Sequence, residues 1–135
     1  MADYTVAKIS ELEGYYNGIF LKARATLGVT AFGLSIVDIP AGSVHYPEHN
    51  HPSGQEEVLV ITKGFGRMSF DEGAEFVDLE PGMMVRIGAA TKRTIRVGDE
   101  GLQAVAVGGT PGEAYTPLPY TELGAIDPLV KRPGT

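Results

Sequence analysis

The chain contains no cysteine among its 135 residues, so it can form no disulfide and can offer no thiolate as a nucleophile or metal ligand. It has no block of like charges, and its formal net charge of −6 argues against nucleic acid or an anionic membrane as a partner. No apolar run is long enough to span a bilayer, and no basic segment followed by an apolar run marks a signal peptide. We therefore expect a cytoplasmic protein with no membrane and no nucleic-acid partner.

A long helical period is also missing, and only residues 6–12 have a pattern that suits one or two helical turns. What the chain has instead is 18 glycines and 9 prolines, which separate short runs rich in β-branched and aromatic residues. This pattern is typical of an all-β sandwich or barrel. The length suffices for one domain with a real core, so we predict a single domain over residues 1–135, with a barrel over about 18–109 and a tail over 110–135.

The apolar runs between the turn residues predict a series of short strands. They lie near residues 18–26, 29–39, 43–51, 57–63, 65–70, 74–79, 83–88, 93–98 and 102–108. Gly64-Phe65-Gly66 predicts one tight hairpin and Asp71-Glu72-Gly73 another. Residues 37–42 and 77–82 are similar in sequence and each predicts a strand followed by a Pro/Gly turn, which favours two equivalent β-motifs folded into a jelly roll.

The tail begins at about Thr110, where three prolines follow within eleven residues. We predict that this segment is extended and that Tyr115, Leu118 and Tyr120 hold it against the barrel or against a partner subunit. Because the edge strands of the barrel need covering and the tail carries apolar side chains, we expect a homodimer.

All three histidines lie within seven residues, at His45, His49 and His51. Side chains alternate along an extended segment, so His49 and His51 point to the same face. The next predicted strand has a carboxylate, Glu57, near its start. Two imidazoles and a carboxylate that converge inside a β-structure predict a site for a divalent metal ion such as Zn, Fe, Mn or Ni. The alternative is that the imidazoles only form hydrogen bonds in a metal-free pocket.

Taken together, these residues resemble the first motif of the cupin superfamily, which contains a glycine, His-x-His, a glutamate, and a glycine after six further residues. Gly42, His49, His51, Glu57 and Gly64 match this motif, and six residues separate Glu57 from Gly64. Two other spacings are each one residue longer than the commonest form. Taking Glu56 as the motif carboxylate would correct one of them but would change the distance to Gly64.

The second cupin motif contains Pro-Gly-Asp, an apolar strand and a histidine, and it is degenerate in this chain. Pro81 and Gly82 are kept, but Met83 replaces the aspartate and Arg93 replaces the histidine. The resemblance implies a β-barrel of the jelly-roll type with little helix, a pocket lined by the motif positions, and often a dimer. It does not imply one reaction, because one fold hosts many chemistries.

No histidine follows residue 51, so any fourth protein ligand must be an oxygen, for example from Glu56, or else His45. Along a straight strand His45 would lie roughly 13 Å from His49, too far to share an ion unless the chain bends at Pro47. We therefore expect His45 to lie at the rim of the pocket or on the surface.

Arg93 alternates in phase with Ile95 and Val97, so its guanidinium points into the barrel if those residues form the core. A buried arginine keeps its charge and needs an anion. Glu57 could pair with it, a substrate anion could pair with it beside a metal, or the side chain could reach the barrel mouth.

Two classes of function follow. The first is a small enzyme in which a metal held by His49, His51 and Glu57 acts as a Lewis acid, while Arg93, the candidate catalytic residue, polarises an anionic oxygen. Isomerisation, cyclisation or oxygenation of a small anionic substrate would fit this arrangement. The second is a metal-free, non-catalytic binding module or sensor, in which Arg93 pairs with Glu57 or with an anionic ligand.

Overall fold

The computed structural model describes residues 1–43 and 46–117, and within these ranges the chain is mostly β-strand. One 3-10 turn covers Ile9–Glu11, inside the segment expected to be helical. The strands are β1 (Gly14–Tyr15), β2 (Phe20–Leu21), β3 (Gly33–Ile39), β4 (Glu56–Phe70), β5 (Glu75–Leu79), β6 (Met84–Ile87) and β7 (Arg93–Gly109), and the helix α1 covers Ala23–Leu27. The prediction of an all-β fold with little helix is confirmed.

All the strands belong to one antiparallel sheet in the order β1-β2-β3-β7-β4-β5, with β6 paired to β4. The central strand β7 pairs along its length with β4 and near its end with β3. Because of this register, Gly33, Gly108, Glu57 and Ile87 form one row across four neighbouring strands. Side chains opposite one another in such a row share a face of the sheet, so the row places Glu57 on the same face as two glycines.

The long strands β4 and β7 correct the prediction of a hairpin at residues 64–66. β4 continues through Gly64, and the pairing of β4 with β7 is irregular between Ile61 and Lys63 and again between Gly64 and Gly66. Gly101 of β7 faces this irregularity, and both Gly64 and Gly101 have positive φ, at 76° and 70°. The glycine pair on adjacent strands thus forms a bulge at which both strands bend and continue. A hairpin turn would instead have divided β4 into two strands.

Two further strand predictions were wrong. The segment predicted as a strand over residues 18–26 contains only the two residues of β2 and then α1, because Ala-Arg-Ala-Thr-Leu favours a helix and Gly28 ends it with φ of 77°. The segment predicted over residues 43–51 forms only an isolated bridge between His49 and Arg93 among the described residues. The hairpin at Asp71-Glu72-Gly73 is confirmed as the turn between β4 and β5.

The larger of two hydrophobic clusters among the described residues lies against the inner face of the sheet, and the smaller one contains Leu21, Ala23 and Ile36. The largest fully buried apolar side chains of the larger cluster are Ile19, Ile39, Leu59, Ile61, Met68, Leu79, Ile87 and Ile95. They come from every strand from β3 to β7 and from the residue before β2, so the sheet curves around them. The two similar segments end alike, in turns at 40–42 and 80–82 whose glycines have φ of 75° and 92°. Within the described ranges no helix is long and apolar enough to cross a membrane.

Candidate functional site

A cavity of about 250 Å³ lies on the inner side of the sheet. Its wall contains the three side chains that the sequence predicts as metal ligands, His49, His51 and Glu57. Tyr15, Lys22, Arg24, Ser35, Tyr46, Gln55 and Tyr115 supply its other polar side chains. The cavity is therefore apolar in part, with polar groups at several positions, as is usual for a small-molecule site.

Backbone hydrogen bonds hold the histidine segment against the start of β7. The N–H of His49 donates to the carbonyl of Arg93 at 3.1 Å, and the N–H of Arg93 donates to the carbonyl of His49 at 2.9 Å. The N–H of His51 donates to the carbonyl of Ala89 at 2.8 Å. Both side chains turn inward and are buried, and their ring centroids lie 5.0 Å apart, as the alternation of an extended segment predicts.

The protonation of His49 follows from its contact with a backbone carbonyl. Its Nδ1 lies 3.0 Å from the carbonyl oxygen of Pro47, which can only accept, so Nδ1 carries the proton and Nε2 keeps its lone pair. Burial lowers the pKa of His49 to about 4, with the hydrogen bond to Pro47 opposing this shift and the neighbouring His51 and Arg93 adding to it. At neutral pH the ring is neutral and its Nε2 can bind a metal ion.

Glu57 supplies the carboxylate of the cavity. Its Oε2 lies 3.7 Å from Nε2 of His51. Burial alone would raise the pKa of Glu57, but the nearby His51 and Arg93 take the pKa below the ordinary value. Glu56 points to the outer face, where its Oε2 pairs with Nη2 of Arg86 at 2.8 Å. Of the two adjacent carboxylates, Glu57 is the one inside.

The donor atoms are of the types that bind a divalent metal ion, and one of the distances between them suits such an ion. Two atoms bound at about 2.1 Å to one ion lie about 3.4 Å apart at the tetrahedral angle. The 3.7 Å between His51 and Glu57 is close to this separation. As they stand, no three His, Cys, Asp or Glu side chains of the described residues are grouped closely enough to hold an ion.

The chain is similar to several solved structures, although no protein-family description and no curated protein matches it. A cupin protein from Bacteroides fragilis is 24% identical and has a TM-score of 0.66, over 86% of this chain and 93% of that one. A cupin-superfamily sugar phosphate isomerase from Silicibacter pomeroyi is 20% identical with a TM-score of 0.63, over 84% and 77%. This chain has the cupin fold.

The cupin barrel predicted from the motifs is thereby confirmed. A further similar structure is a DMSP lyase from Ruegeria pomeroyi, which is 28% identical with a TM-score of 0.53. The match covers 69% of this chain and 45% of the lyase chain. This chain therefore corresponds to less than half of the lyase, whereas it corresponds to most of the Bacteroides protein.

Arg93 is fully buried, so its predicted inward direction is confirmed and the barrel mouth is excluded. Its Nη2 donates to the carbonyl of Gly88 at 3.2 Å, while its Nε and Nη1 have no hydrogen-bond partner among the described residues. Burial lowers its pKa and the charge of Glu57 opposes that shift. Arg93 is not among the described residues that line the cavity. It therefore acts on the cavity through its charge, from behind the wall.

Sequence reasoning missed several cavity residues. Gln55 precedes Glu57 by two positions, so the alternation of a strand could have placed it on the same face. Lys22 and Arg24 gave no such signal, because they belong to α1 and its preceding residue, within a segment predicted as a strand. Tyr115 packs on the barrel as expected, whereas His45, Leu118 and Tyr120 lie outside the described residues.

Proposed function

We propose that this chain is a small-molecule-binding cupin in which His49, His51 and Glu57 hold a divalent metal ion. The observation that carries the proposal is the presence of all three side chains in the wall of one cavity. The states of two of the groups support it: His49 presents a neutral Nε2, and the pKa of Glu57 is low enough to keep it ionised at neutral pH. Nitrogen and carboxylate ligands suit Zn, Fe, Mn or Ni.

The chemistry that such an ion would supply is Lewis-acid polarisation of a carbonyl or enol oxygen, at the coordination positions that three protein ligands leave open. Isomerisation, cyclisation and oxygenation of a small substrate are the reactions we propose for it. The names of two similar structures, an isomerase and a lyase, support an enzyme more than a structural protein.

The charge of the cavity supports an anionic substrate. Lys22 and Arg24 line it, and the buried Arg93 lies behind its wall, whereas Glu57 is its only carboxylate among the described lining residues. The whole chain carries a net charge of −6, so the charge around the cavity has the opposite sign to the net charge of the protein. A volume of about 250 Å³ is below the range of about 300–1,000 Å³ that holds drug-sized ligands, so the substrate is small.

The metal site is tested by elemental analysis of protein prepared without a His tag. We expect about one divalent ion per chain, and His49→Ala and His51→Ala should each weaken binding of added Zn²⁺ by about a hundredfold or more. Glu56→Gln is the matched control, because this neighbouring carboxylate pairs with Arg86 on the outer face and should leave metal affinity unchanged. Equal loss in the Glu56 variant would show that the ligand set is wrong.

A metal-free ligand-binding barrel is the second candidate, and the buried guanidinium of Arg93 favours it. A fixed positive charge beside the histidines repels a cation, and the same charge would attract an anionic ligand. Protein that contains no ion and binds no added Zn²⁺, Fe²⁺, Mn²⁺ or Ni²⁺ would establish this second function.

We also propose that the cupin is a homodimer. Large apolar side chains are exposed on the sheet at Phe65, Phe76 and Met84, which a partner subunit would cover. Light scattering at micromolar concentration should give about 29 kDa, twice the chain mass. A mass of 14.3 kDa, that of one chain, would contradict the prediction.

A further inference from the structure

The side-chain amide of Gln55 faces the cavity. Its side chain belongs to a residue that is only 5% exposed, and it lines the cavity. Among the residues that the structure describes, none forms a hydrogen bond with this amide. The N and O atoms of this amide are not among the fully buried atoms that lack a partner, so they are open to the cavity, where water or a ligand can bond to them.

Two glycines leave the space in which this amide lies. Gly33 and Gly108 face each other in the pairing of β3 with β7. A Cβ on Gly108 would overlap Nε2 of Gln55, and a Cβ on Gly33 would lie 3.3 Å from Nε2 and 3.0 Å from the hydroxyl of Tyr115. The amide of Gln55 and the hydroxyl of Tyr115 therefore both border the space above Gly33, which has no side chain to fill it.

Tyr115 also connects this end of the cavity to a cation. The guanidinium carbon of Arg24 lies 5.8 Å from the centre of the Tyr115 ring, and Nη1 of Arg24 donates to the carbonyl of Val29 at 3.2 Å. These two contacts hold the guanidinium in place without neutralising it. In the part of the chain that the structure describes, no carboxylate lies within 4.0 Å of Arg24.

We propose that Gln55 and Arg24 form a carboxylate-binding subsite, and that the ligand of this cavity is a small monocarboxylic acid. The amide of Gln55 donates to one carboxylate oxygen, and Arg24 supplies the opposite charge. An amide and one guanidinium suit the two oxygens of a carboxylate. This subsite depends on the proposed function in one respect only: the metal site would bind the rest of the ligand near His49 and His51.

The direct test is an NMR titration of the side-chain amide of Gln55. Its cross peaks are identified by their loss in Gln55→Met. The probes are acetate, butyrate, hexanoate and benzoate, each compared with the primary amide of the same carbon skeleton. We expect at least one carboxylate to shift the Gln55 cross peaks and to bind about tenfold more tightly than its amide. Carboxylates that leave these cross peaks unmoved would overturn the proposal.

Variants separate recognition of the charge from general packing. Arg24→Gln should weaken binding of the carboxylate about tenfold while binding of the matching amide stays the same. Arg86→Gln makes the same change of charge on the outer face, where Arg86 pairs with Glu56, and should change neither. An Arg24 variant that weakens carboxylate and amide equally would mean that Arg24 has only a structural role. Far-UV circular dichroism checks that each variant is folded.

Metal binding is measured separately from carboxylate binding, so each of the two proposals can be refuted without the other. His51→Ala should lose Zn²⁺ and keep the shift of the Gln55 cross peaks on addition of the carboxylate. A wild-type protein that holds no metal but still binds the carboxylate at Gln55 would refute the metal site alone. A protein that holds metal and binds no carboxylate at Gln55 would refute the subsite alone.

Discussion

Gly64→Ala is expected to lower the free energy of unfolding by about 3–5 kcal/mol, which is an exceptional loss for a single substitution. Gly64 has φ of 76°, and a left-handed conformation costs a residue with a Cβ roughly 1–2 kcal/mol. The larger cost is steric. A Cβ at this position would overlap the carbonyl oxygen of Gly101 and lie 2.9 Å from Cα of Leu102. These are backbone atoms of β7, which pairs with β4 on both sides of the bend, so they cannot move aside.

Guanidinium chloride unfolding followed by circular dichroism measures this loss. Gly42→Ala is the matched control, because Gly42 has φ of 75° but the added Cβ has no atom of the described residues within 4 Å. It carries the conformational cost alone and should lose only about 1 kcal/mol. If the two variants lose the same free energy, the close approach of β4 and β7 at the bend does not exist.

Arg93→His is expected to raise the affinity for Zn²⁺ by at least about tenfold, or 1.4 kcal/mol. The change adds an imidazole beside His49, to which residue 93 is joined by two backbone hydrogen bonds, and it removes a fixed positive charge from behind the cavity. The gain should be accompanied by weaker binding of an anionic ligand, because the same charge attracts it.

Arg93→Met separates these two causes. It removes the charge and adds no nitrogen ligand, so it should raise metal affinity by less than Arg93→His does. It should also stabilise the metal-free protein by about 1–3 kcal/mol, since two nitrogens of the buried guanidinium have no partner among the described residues. Calorimetric titration with Zn²⁺ and thermal unfolding measure the two quantities. Unchanged metal affinity and stability in both variants would contradict our account of Arg93.

The sequence predicted the parts of the site that depend on local alternation. His49 and His51 face the same way and Arg93 points inward because side chains in extended segments alternate, whatever the rest of the fold does. The bend at Gly64 was predicted as a hairpin because a glycine pair is the same local signal for a turn and for a bulge. What decides between them is Gly101, which is 37 positions away in the chain.

The position of the Gln55 amide could likewise be predicted only in part from the local sequence. Its parity with Glu57 is visible in the sequence, but its burial depends on the pairing of Gly33 with Gly108, which are 75 positions apart. Lys22 and Arg24 reach the cavity because α1 interrupts a segment rich in strand-forming residues. Contacts of this kind depend on long-range register, which no local pattern specifies.

The two reciprocal backbone hydrogen bonds between His49 and Arg93 couple the hydrogen-exchange rates of the two amides. If the histidine segment separates from β7, both hydrogen bonds break, so the two N–H groups become exposed to solvent together. One opening event therefore releases both protons, and its free energy is set by the end of β7 as well as by the residues around His49. In deuterium exchange the two amides should have equal protection, and a change at either residue should alter the exchange of both.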